Sequence, residues 1–217
     1  MEMTEKMQKK LNDGREYRSM AVEPGTDDYM VEGYATTFEQ PYHLYNDAKG
    51  REVKEQVSKD AFLNADMSDV IMQYDHEGRV FARISNDTLK LDVDDHGLKM
   101  TAYLGGTEIG RNLYEEIKGG YTNKMSFGFT VANAEVEPDG DGFLRTIKSI
   151  KKTWDVSAVS LPANDLTEIS ARSHIDGAID EIDEEIRQRE EQERLAAEKR
   201  ESLAERLKAL KGETNGN

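Results

Sequence analysis

The sequence has no cysteine, no long apolar run and no surplus of basic residues. Without cysteine the chain can form no disulfide, has no thiol nucleophile and offers no thiolate to a metal, which is usual in a reducing compartment. No segment of about 18 apolar residues could span a membrane, and the beginning, "MEMTEKMQKKLNDGREYRSM", lacks the apolar centre of a signal peptide. We therefore expect a soluble intracellular protein that does not contact a membrane.

The charge balance indicates the kind of partner. The formal net charge is -15 over 217 residues, so there is no general excess of Lys and Arg to neutralise phosphates. This argues against direct binding of nucleic acid and favours a protein partner. The length suits one domain of about 150 to 170 residues with an appendage.

Short alternating apolar runs dominate the middle of the chain, and glycine, aspartate and asparagine separate them, a pattern typical of strands and turns. In order, the runs are YMVEGYATTF, RVFARI, LKLDVDDHGLKMTAYL, MSFGFTVANAEV, GFLRTIKSI and TWDVSAVSL. Only "SKDAFLNA", with Ser58 as its N-cap, and "GTEIGRNLYEEIKGG" are predicted to be helical there. The expected fold class is α+β, with mainly antiparallel strands.

Composition divides the chain into three regions. Residues 1–28 are polar without a clear period, and we interpret them as a mobile N-terminal arm. Residues 29–170 form the β-rich domain, and residues 171–217 form a charged helical tail that ends in a disordered "GETNGN". Isoleucines and leucines of the tail recur in steps of three and four around a polar centre, which predicts at best a weak coiled coil.

One of the four histidines stands out as a candidate for chemistry. His43, His96 and His174 lie in a loop, a hairpin turn and the junction to the tail, where structural or solvent-exposed roles are usual. His76 follows the apolar run "DVIMQY", a predicted buried strand, and Gly78 allows the chain to turn back after it. An imidazole at this point can be held rigidly and still reach solvent.

Ser126 interrupts a strand pattern in "NKMSFGF", where Met125, Phe127 and Phe129 alternate. Serine and glycine are poor strand formers, so Ser126 and Gly128 need an explanation. A polar outer face is the common one. The alternative is a nucleophile, because a histidine that titrates near neutral pH can take the proton of a serine hydroxyl.

Asp155 is the first candidate for a third member of such a site. It begins an otherwise apolar strand in "TWDVSAVSL", where a carboxylate must find a partner or face solvent. A carboxylate beside His76 would fix the tautomer of the imidazole and stabilise the imidazolium. The chain order His76, Ser126, Asp155 matches neither common order of serine hydrolases, and no G-x-S-x-G elbow surrounds Ser126. The residues permit a triad without requiring one.

No motif predicts a metal or cofactor site. The acidic segment "LKLDVDDHGL" lacks the ligand spacing and the terminal glutamate of a calcium-binding hand. No glycine-rich phosphate loop occurs in the sequence. We expect neither a metal nor a cofactor.

A series of short motifs resembles the prohead maturation protease family of tailed bacteriophages. Between residues 29 and 167 the motifs are VEGYATTF, KEQVSKDAF, IMQYDHEG, DDHGLKMTAYL, IKGGYTNKMSFGF and WDVSAVSLPAND. That family is related in fold to the herpesvirus assembly protease, so the resemblance implies a β-barrel surrounded by helices. It also implies that His76, in "YDHEG", is the general base and that Ser126, in "KMSFGF", is the nucleophile. Phage relatives commonly have an acidic residue before "VS", most often glutamate, which makes Asp155 the third member.

The function implied by the resemblance is that of a serine endopeptidase of procapsid maturation. Such an enzyme would cleave the scaffold region of the major capsid protein, and itself, inside the procapsid that assembles in the host cytoplasm. Its partners would be the capsid protein and further copies of itself as a homo-oligomer, because the herpesvirus relatives are activated by dimerisation. No residue pattern here requires an oligomer.

Two other classes of protein stay open. A scaffolding protein that does not cleave would organise capsid subunits through its acidic helical tail. A carbohydrate- or peptide-binding β domain would use the tail as a coiled coil for oligomerisation. The joint presence of His76, Ser126 and Asp155 favours the protease.

Overall fold

The computed structural model describes residues 14–160 and 168–213 of the chain. Within these ranges the chain forms ten strands and two α-helices. The strands are β1 Arg15–Pro24, β2 Met30–Thr37, β3 Tyr42–Asn46, β4 Glu52–Val57, β5 Ile71–Tyr74, β6 Glu77–Arg83, β7 Leu89–Val93, β8 Gly97–Tyr103, β9 Lys124–Asp139 and β10 Gly142–Val159. The helices are α1 Glu108–Lys118 and α2 Glu168–Glu213. The chain divides into two compact units, Met1–Ile175 and Asp176–Asn217.

The strands belong to one sheet. Its main path runs β3-β4-β10-β9-β1-β2-β8-β7, and β5 pairs with β10 and β6. β10 is parallel to β4 and β5, and the other ladders are antiparallel. This confirms the α+β class with mainly antiparallel strands. The sheet is not closed into the barrel that the resemblance implies, because no ladder joins β6 to β7 in the described part of the chain.

The prediction of a helix at "SKDAFLNA" is wrong. Residues 59–64 form successive turns, such as the one in which Ala61 N–H bonds to Ser58 O at 3.0 Å. The carbonyl of Ala61 accepts from Ile150 N–H of β10 at 2.8 Å, and Ser58 N–H donates to Ile147 O at 3.0 Å. Pairing with β10 therefore takes backbone groups that a helix would need for itself.

The second predicted helix is present as α1. Thr107 caps its N-terminus, because Thr107 Oγ1 accepts from Gly110 N–H at 3.1 Å. Leu113 and Ile117 are buried, which fixes one face of the helix on the core.

β9 and β10 are the longest strands and adjoin each other in the sheet. Alternate residues of these strands, including Phe127, Phe129 and Val156, are buried in the hydrophobic core. Because side chains alternate along a strand, the residues between them lie on the opposite face of the sheet. Ser126 and Asp155 share that second face.

Residues 15–24 are a strand and not part of the mobile arm that the sequence predicts for residues 1–28. β1 pairs with β9 along its first part and with β2 along its last part. The charged residues that give this segment a polar appearance are buried, since Glu16 is 6% exposed and Arg18 is 9% exposed. Residues 1–13 of the predicted arm lie outside the described residues.

Four buried charged residues from β1, β4 and β10 form what we call the ion cluster: Glu16, Arg18, Glu55 and Arg145. Arg18 binds Glu55 at two points, Nε to Oε1 at 2.6 Å and Nη2 to Oε2 at 2.8 Å. Arg145 binds Glu55 Oε2 at 2.5 Å and Glu16 Oε1 at 2.8 Å. Two positive and two negative charges match each other, which is the condition for burying them. The cluster thus ties the N-terminal strand to the centre of the sheet.

α2 contains most of the charged tail that the sequence predicts. Side chains of residues 184–204 are exposed. The predicted disorder of "GETNGN" falls in part on residues 214–217, which lie outside the described residues, whereas Gly212 and Glu213 end the helix.

The ion cluster predicts a large cost for removing one carboxylate charge. Glu55→Gln leaves two buried guanidinium groups with the single charge of Glu16, and we expect the free energy of unfolding to fall by about 3 to 5 kcal/mol. Lys54→Gln is the matched control, because it removes the partly exposed ion pair with Asp139 from the same strand and should cost at most about 1 kcal/mol. Urea unfolding measures both changes, and equal losses would contradict the prediction.

The ion cluster also predicts a dependence of stability on pH. Burial opposes ionisation of Glu55, but the charges of Arg18 and Arg145 outweigh it and lower the pKa of Glu55 from 4.5 to about 2. A carboxyl group with a lowered pKa in the folded state stabilises the fold above its unfolded pKa. The unfolding free energy should therefore fall as the pH drops from about 4.5 to about 2, and it should fall less steeply in Glu55→Gln.

Candidate active site

The pairing of β9 with β10 sets the geometry of the candidate site. Ser126 pairs with Ser157, and Gly128 pairs with Asp155. Directly paired residues share a face, so Ser126 and Asp155 are diagonal neighbours, which lie about 7 to 8 Å apart in such ladders. An imidazole with a hydrogen bond at each nitrogen can bridge that distance. A histidine above this face could contact both side chains.

A β-bulge at Trp154 produces this alignment. Thr153 pairs with Phe129 of the core face, and Asp155 pairs with the next residue of β9, Gly128. The extra residue between them shifts the register by one position. Without the bulge, Trp154 would stand opposite Gly128, and Asp155 would lie on the face away from Ser126.

His76 reaches the same site from the turn between β5 and β6. Tyr74 pairs with Glu77, and the two residues between them, Asp75 and His76, have φ angles of 49° and 59°. Neither of these residues is glycine, so the two-residue hairpin stores backbone strain. The chain therefore reverses at Asp75 and His76, before the predicted turn residue Gly78.

Contacts with β10 hold this strained turn in place. Asp75 N–H donates to Ala158 O at 2.9 Å. The carboxylate of Asp75 accepts from Ser160 N–H at 2.8 Å and from Ser160 Oγ–H at 2.9 Å. β5 also runs parallel to β10, with Tyr74 beside Ala158. The turn is thus fixed to the strand that carries Asp155.

His76 and Asp155 make the central contact of the site. His76 Nδ1 is within hydrogen-bond distance of Asp155 Oδ1, and Ser157 Oγ donates to the same carboxylate oxygen at 2.7 Å. His76 is 6% exposed and Asp155 2%. Aspartate is long enough to reach the histidine, although the resemblance favours glutamate at this position, which is one methylene longer. A buried carboxylate with two partners keeps its orientation and can stabilise an imidazolium.

Ser126 shares this face without being bonded to the histidine. The residue is 1% exposed, and its Oγ is closed off from solvent and has no hydrogen-bond partner in the described part of the chain. An unpartnered buried hydroxyl costs free energy and calls for an explanation. Hydrogen bonds between catalytic groups are often long before substrate binds and tighten afterwards. A nucleophile that awaits substrate would account for the arrangement.

Three further residues shape the site. A β-carbon at Gly128 would lie 2.6 Å from Asp155 Oδ2 and 2.8 Å from Tyr17 Cε1, so the glycine makes room for two side chains of the protein itself. The sequence marks Gly128 only as a poor strand former that needs an explanation, and it gives no sign of Tyr17. Ser157 is detectable in the sequence, because a spacing of two residues places it on the face of Asp155.

The other three histidines have different surroundings. His43 is on β3 and not in a loop, and its Nδ1 lies 3.2 Å from Glu52 in an exposed pair. His96 lies in the β7–β8 turn against the ring of Tyr34, and His174 is exposed on α2. Among the described residues there is no group of three or more His, Asp or Glu that could hold a metal ion.

Comparison with protein families identifies the family of the chain. The model of the family described as Caudovirus prohead serine protease matches residues 15–180, from the first residue of β1 into α2. The chain belongs to this family. No curated protein and no solved structure gives a significant match.

Membership in the Caudovirus prohead serine protease family confirms the resemblance read from the motifs. It implies a serine peptidase of capsid maturation that acts within the procapsid and interacts with capsid proteins. The match begins where β1 begins, in accord with the place of β1 in the sheet. No helix in residues 14–160 and 168–213 is long and apolar enough to cross a membrane.

Gly128→Ala should damage the site while every candidate side chain stays present. The added methyl group overlaps Asp155 and Tyr17, and a displacement of about 1 Å costs on the order of 10²-fold in turnover. Gly106→Ala is the matched control, because no heavy atom lies within 4 Å of the place its β-carbon would take. Initial rates of capsid-protein cleavage compare the two variants. An unchanged rate in Gly128→Ala would contradict the packing described.

Proposed function

We propose that the chain is a serine endopeptidase in which Ser126 is the nucleophile, His76 the general base and Asp155 the residue that orients His76. The observation that carries the proposal is the buried contact between His76 and Asp155 on the face that holds the unbonded hydroxyl of Ser126. The family of serine proteases to which the chain belongs supports the same chemistry.

Each side chain has one task in the proposed reaction. His76 Nε2 takes the proton of Ser126 as its oxygen attacks the scissile carbonyl, and the same proton then passes to the leaving amine. Asp155 accepts from His76 Nδ1–H, which keeps Nε2 as the basic nitrogen and stabilises the imidazolium. Water repeats these steps on the acyl-enzyme and releases Ser126. Backbone N–H groups are the expected donors to the oxyanion.

We propose that the substrates are the scaffold region of the major capsid protein and the protease itself. Family membership supports action on capsid proteins inside the procapsid. Cleavage of its own chain needs only a segment that can enter the site of another copy.

The exposed part of α2 favours a second role, in assembly. Its charges form ion pairs along the helix, for example Arg194 with Glu191 at 2.7 Å and with Glu198 at 3.3 Å. A helix that is polar all round is stabilised by such pairs, and its exposed face is open to other proteins. We propose that α2 carries the enzyme into the procapsid. A scaffolding protein would use the helix in the same way, without chemistry at Ser126.

Loss of the nucleophile should abolish processing. Co-expression with the capsid protein, followed by intact mass spectrometry, should show shortened capsid protein and shortened protease for the wild type. Ser126→Ala and His76→Gln should slow cleavage on the order of 10⁴-fold or more, because the members of such a site act as a unit. Ser85→Ala is the matched control, since Ser85 is an exposed serine in the turn after β6 and should leave processing intact.

The result also separates the protease from the scaffolding protein. Unchanged masses in the wild type as well as in Ser126→Ala would refute the endopeptidase and favour the scaffolding role.

Removal of residues 187–217 should separate packaging from chemistry. The truncation leaves the β-rich unit whole and removes α2 from residue 187 onwards, so cleavage of the capsid protein should continue. The amount of protease in purified procapsids should fall severalfold. Cleavage is measured with an intact Ser126, whereas packaging is compared in the Ser126→Ala background, where self-cleavage cannot remove the helix. Unchanged packaging would refute the role proposed for α2.

A further inference from the structure

Tyr17 lies on β1, on the face of the sheet that carries the candidate site. It pairs with Gly128 of β9, and Gly128 pairs with Asp155 of β10, so one row over three strands contains these three residues. Because the middle residue has no side chain, the two outer side chains both extend into the space above it. A β-carbon at Gly128 would lie within 3 Å of both. Tyr17 is therefore built into the face that carries Ser126.

The ring of Tyr17 packs against the imidazole of His76. The two ring centroids are 4.2 Å apart and the ring planes are inclined at 61°, an edge-to-face contact. The contact of Nδ1 with Asp155 holds one atom of the imidazole, and a coupled rotation about χ1 and χ2 can still tilt the ring. Tyr17 is 1% exposed, so it has no space to yield, and it blocks this rotation. The contact with Asp155 and the packing of Tyr17 thus both hold the imidazole of His76.

The backbone of His76 makes such support necessary. Its φ of 59° is costly for a residue other than glycine, and residues in this region persist only where the surroundings over-determine them. The bonds between Asp75 and β10 hold the backbone of the preceding residue. Tyr17 and Asp155 hold the side chain.

The ion cluster determines the position of Tyr17. Glu16 and Arg18 precede and follow Tyr17 on β1, and they point to the other face of the sheet, where they bind Glu55 and Arg145. A shift of β1 by one residue would exchange the two faces and break every one of these ion pairs. The register that satisfies the buried charges is therefore the register that presents Tyr17 to the imidazole.

Tyr17 acts here as a neutral ring. Burial, together with the nearby charge of Asp155, raises the pKa of Tyr17 above its ordinary value. A neutral phenol does not compete with the carboxylate for a positive charge on the imidazole. A phenylalanine at this position would supply the same ring.

We propose that Tyr17 is a positioning residue for His76, and that its ring keeps the imidazole in the orientation in which Nδ1 faces Asp155. The inference rests on the proposed role of His76 as general base. The alternative is that Tyr17 fills space and stabilises the fold only.

Two measurements on the full chain test the proposal. A proton held between a histidine nitrogen and a carboxylate gives a low-field proton NMR signal, and its loss in Asp155→Asn assigns it. Tyr17→Leu should broaden or remove this signal. It should also lower kcat for capsid-protein cleavage on the order of 10²-fold and change KM less. Tyr17→Phe should restore both the signal and the rate.

Tyr114→Leu is the matched control, because Tyr114 is also buried and packs edge-to-face, on Tyr29. It should reduce stability and leave the signal and the rate unchanged. If folded Tyr17→Leu behaves like Tyr114→Leu in both measurements, the proposal is overturned. If Tyr17→Leu does not fold, Tyr17→Met, which fills similar volume without a ring, decides between the same two outcomes.

The two measurements also separate this inference from the proposed function. A wild-type protein that shows the signal but never cleaves capsid protein would refute the protease, while the signal would still test Tyr17. A wild type that cleaves, together with a Tyr17→Leu variant that cleaves as fast, would refute the role of Tyr17 alone.

Discussion

The register between β9 and β10 is the constraint on which the candidate site depends. One face of this ladder is apolar and buried in the core, so the register cannot slip by one residue without moving Phe127 and Val156 out of the core. The same register aligns the polar residues of the opposite face. The packing of the core thus holds Ser126 in place, although its hydroxyl has no hydrogen-bond partner in the described part of the chain.

The bulge at Trp154 is the irregularity in that register that lies next to the candidate site. Upstream of it, Thr153 follows the alternation of the core face, and downstream Asp155 lies on the face of Ser126. Bulges commonly redirect one side chain next to a functional site. Here the redirected side chain is the carboxylate that contacts His76. The position of the Asp155 carboxylate therefore depends on the pairing of β9 with β10 as well as on the identity of the residue.

Much of this fold is predictable from alternation, and the failures have physical causes. The strands of the middle region show clear apolar alternation, and Ser126, His76 and Asp155 stand out as polar residues in or beside such runs. β1 escapes detection because Glu16 and Arg18 lie on the same face as Phe129 and Phe127 of β9, where alternation rules expect apolar side chains. Their partners, Glu55 and Arg145, are far away in the sequence, so no local pattern reveals that the charges are matched.

The sequence does not reveal the bulge at Trp154 or the turn between β5 and β6, for a related reason. Nothing in "TWDVSAV" marks Trp154 as the extra residue, because the bulge is defined by its partner strand. The left-handed backbone of Asp75 and His76 contradicts the usual preference for glycine and exists only because β10 holds the turn. In both cases tertiary contacts override the local preference.

The hydroxyl of Ser126 is closed off from solvent, and this burial would limit the rate of the proposed cleavage. If Ser126 is the nucleophile, as proposed, its oxygen must first become accessible to the peptide bond, so each turnover would include an opening step before any bond is made. The observed rate is then the chemical rate multiplied by the fraction of molecules that are open. If that fraction is about one in a hundred, well-aligned chemistry still runs about a hundredfold slower. Any partner that binds the open form more tightly becomes an activator by mass action alone.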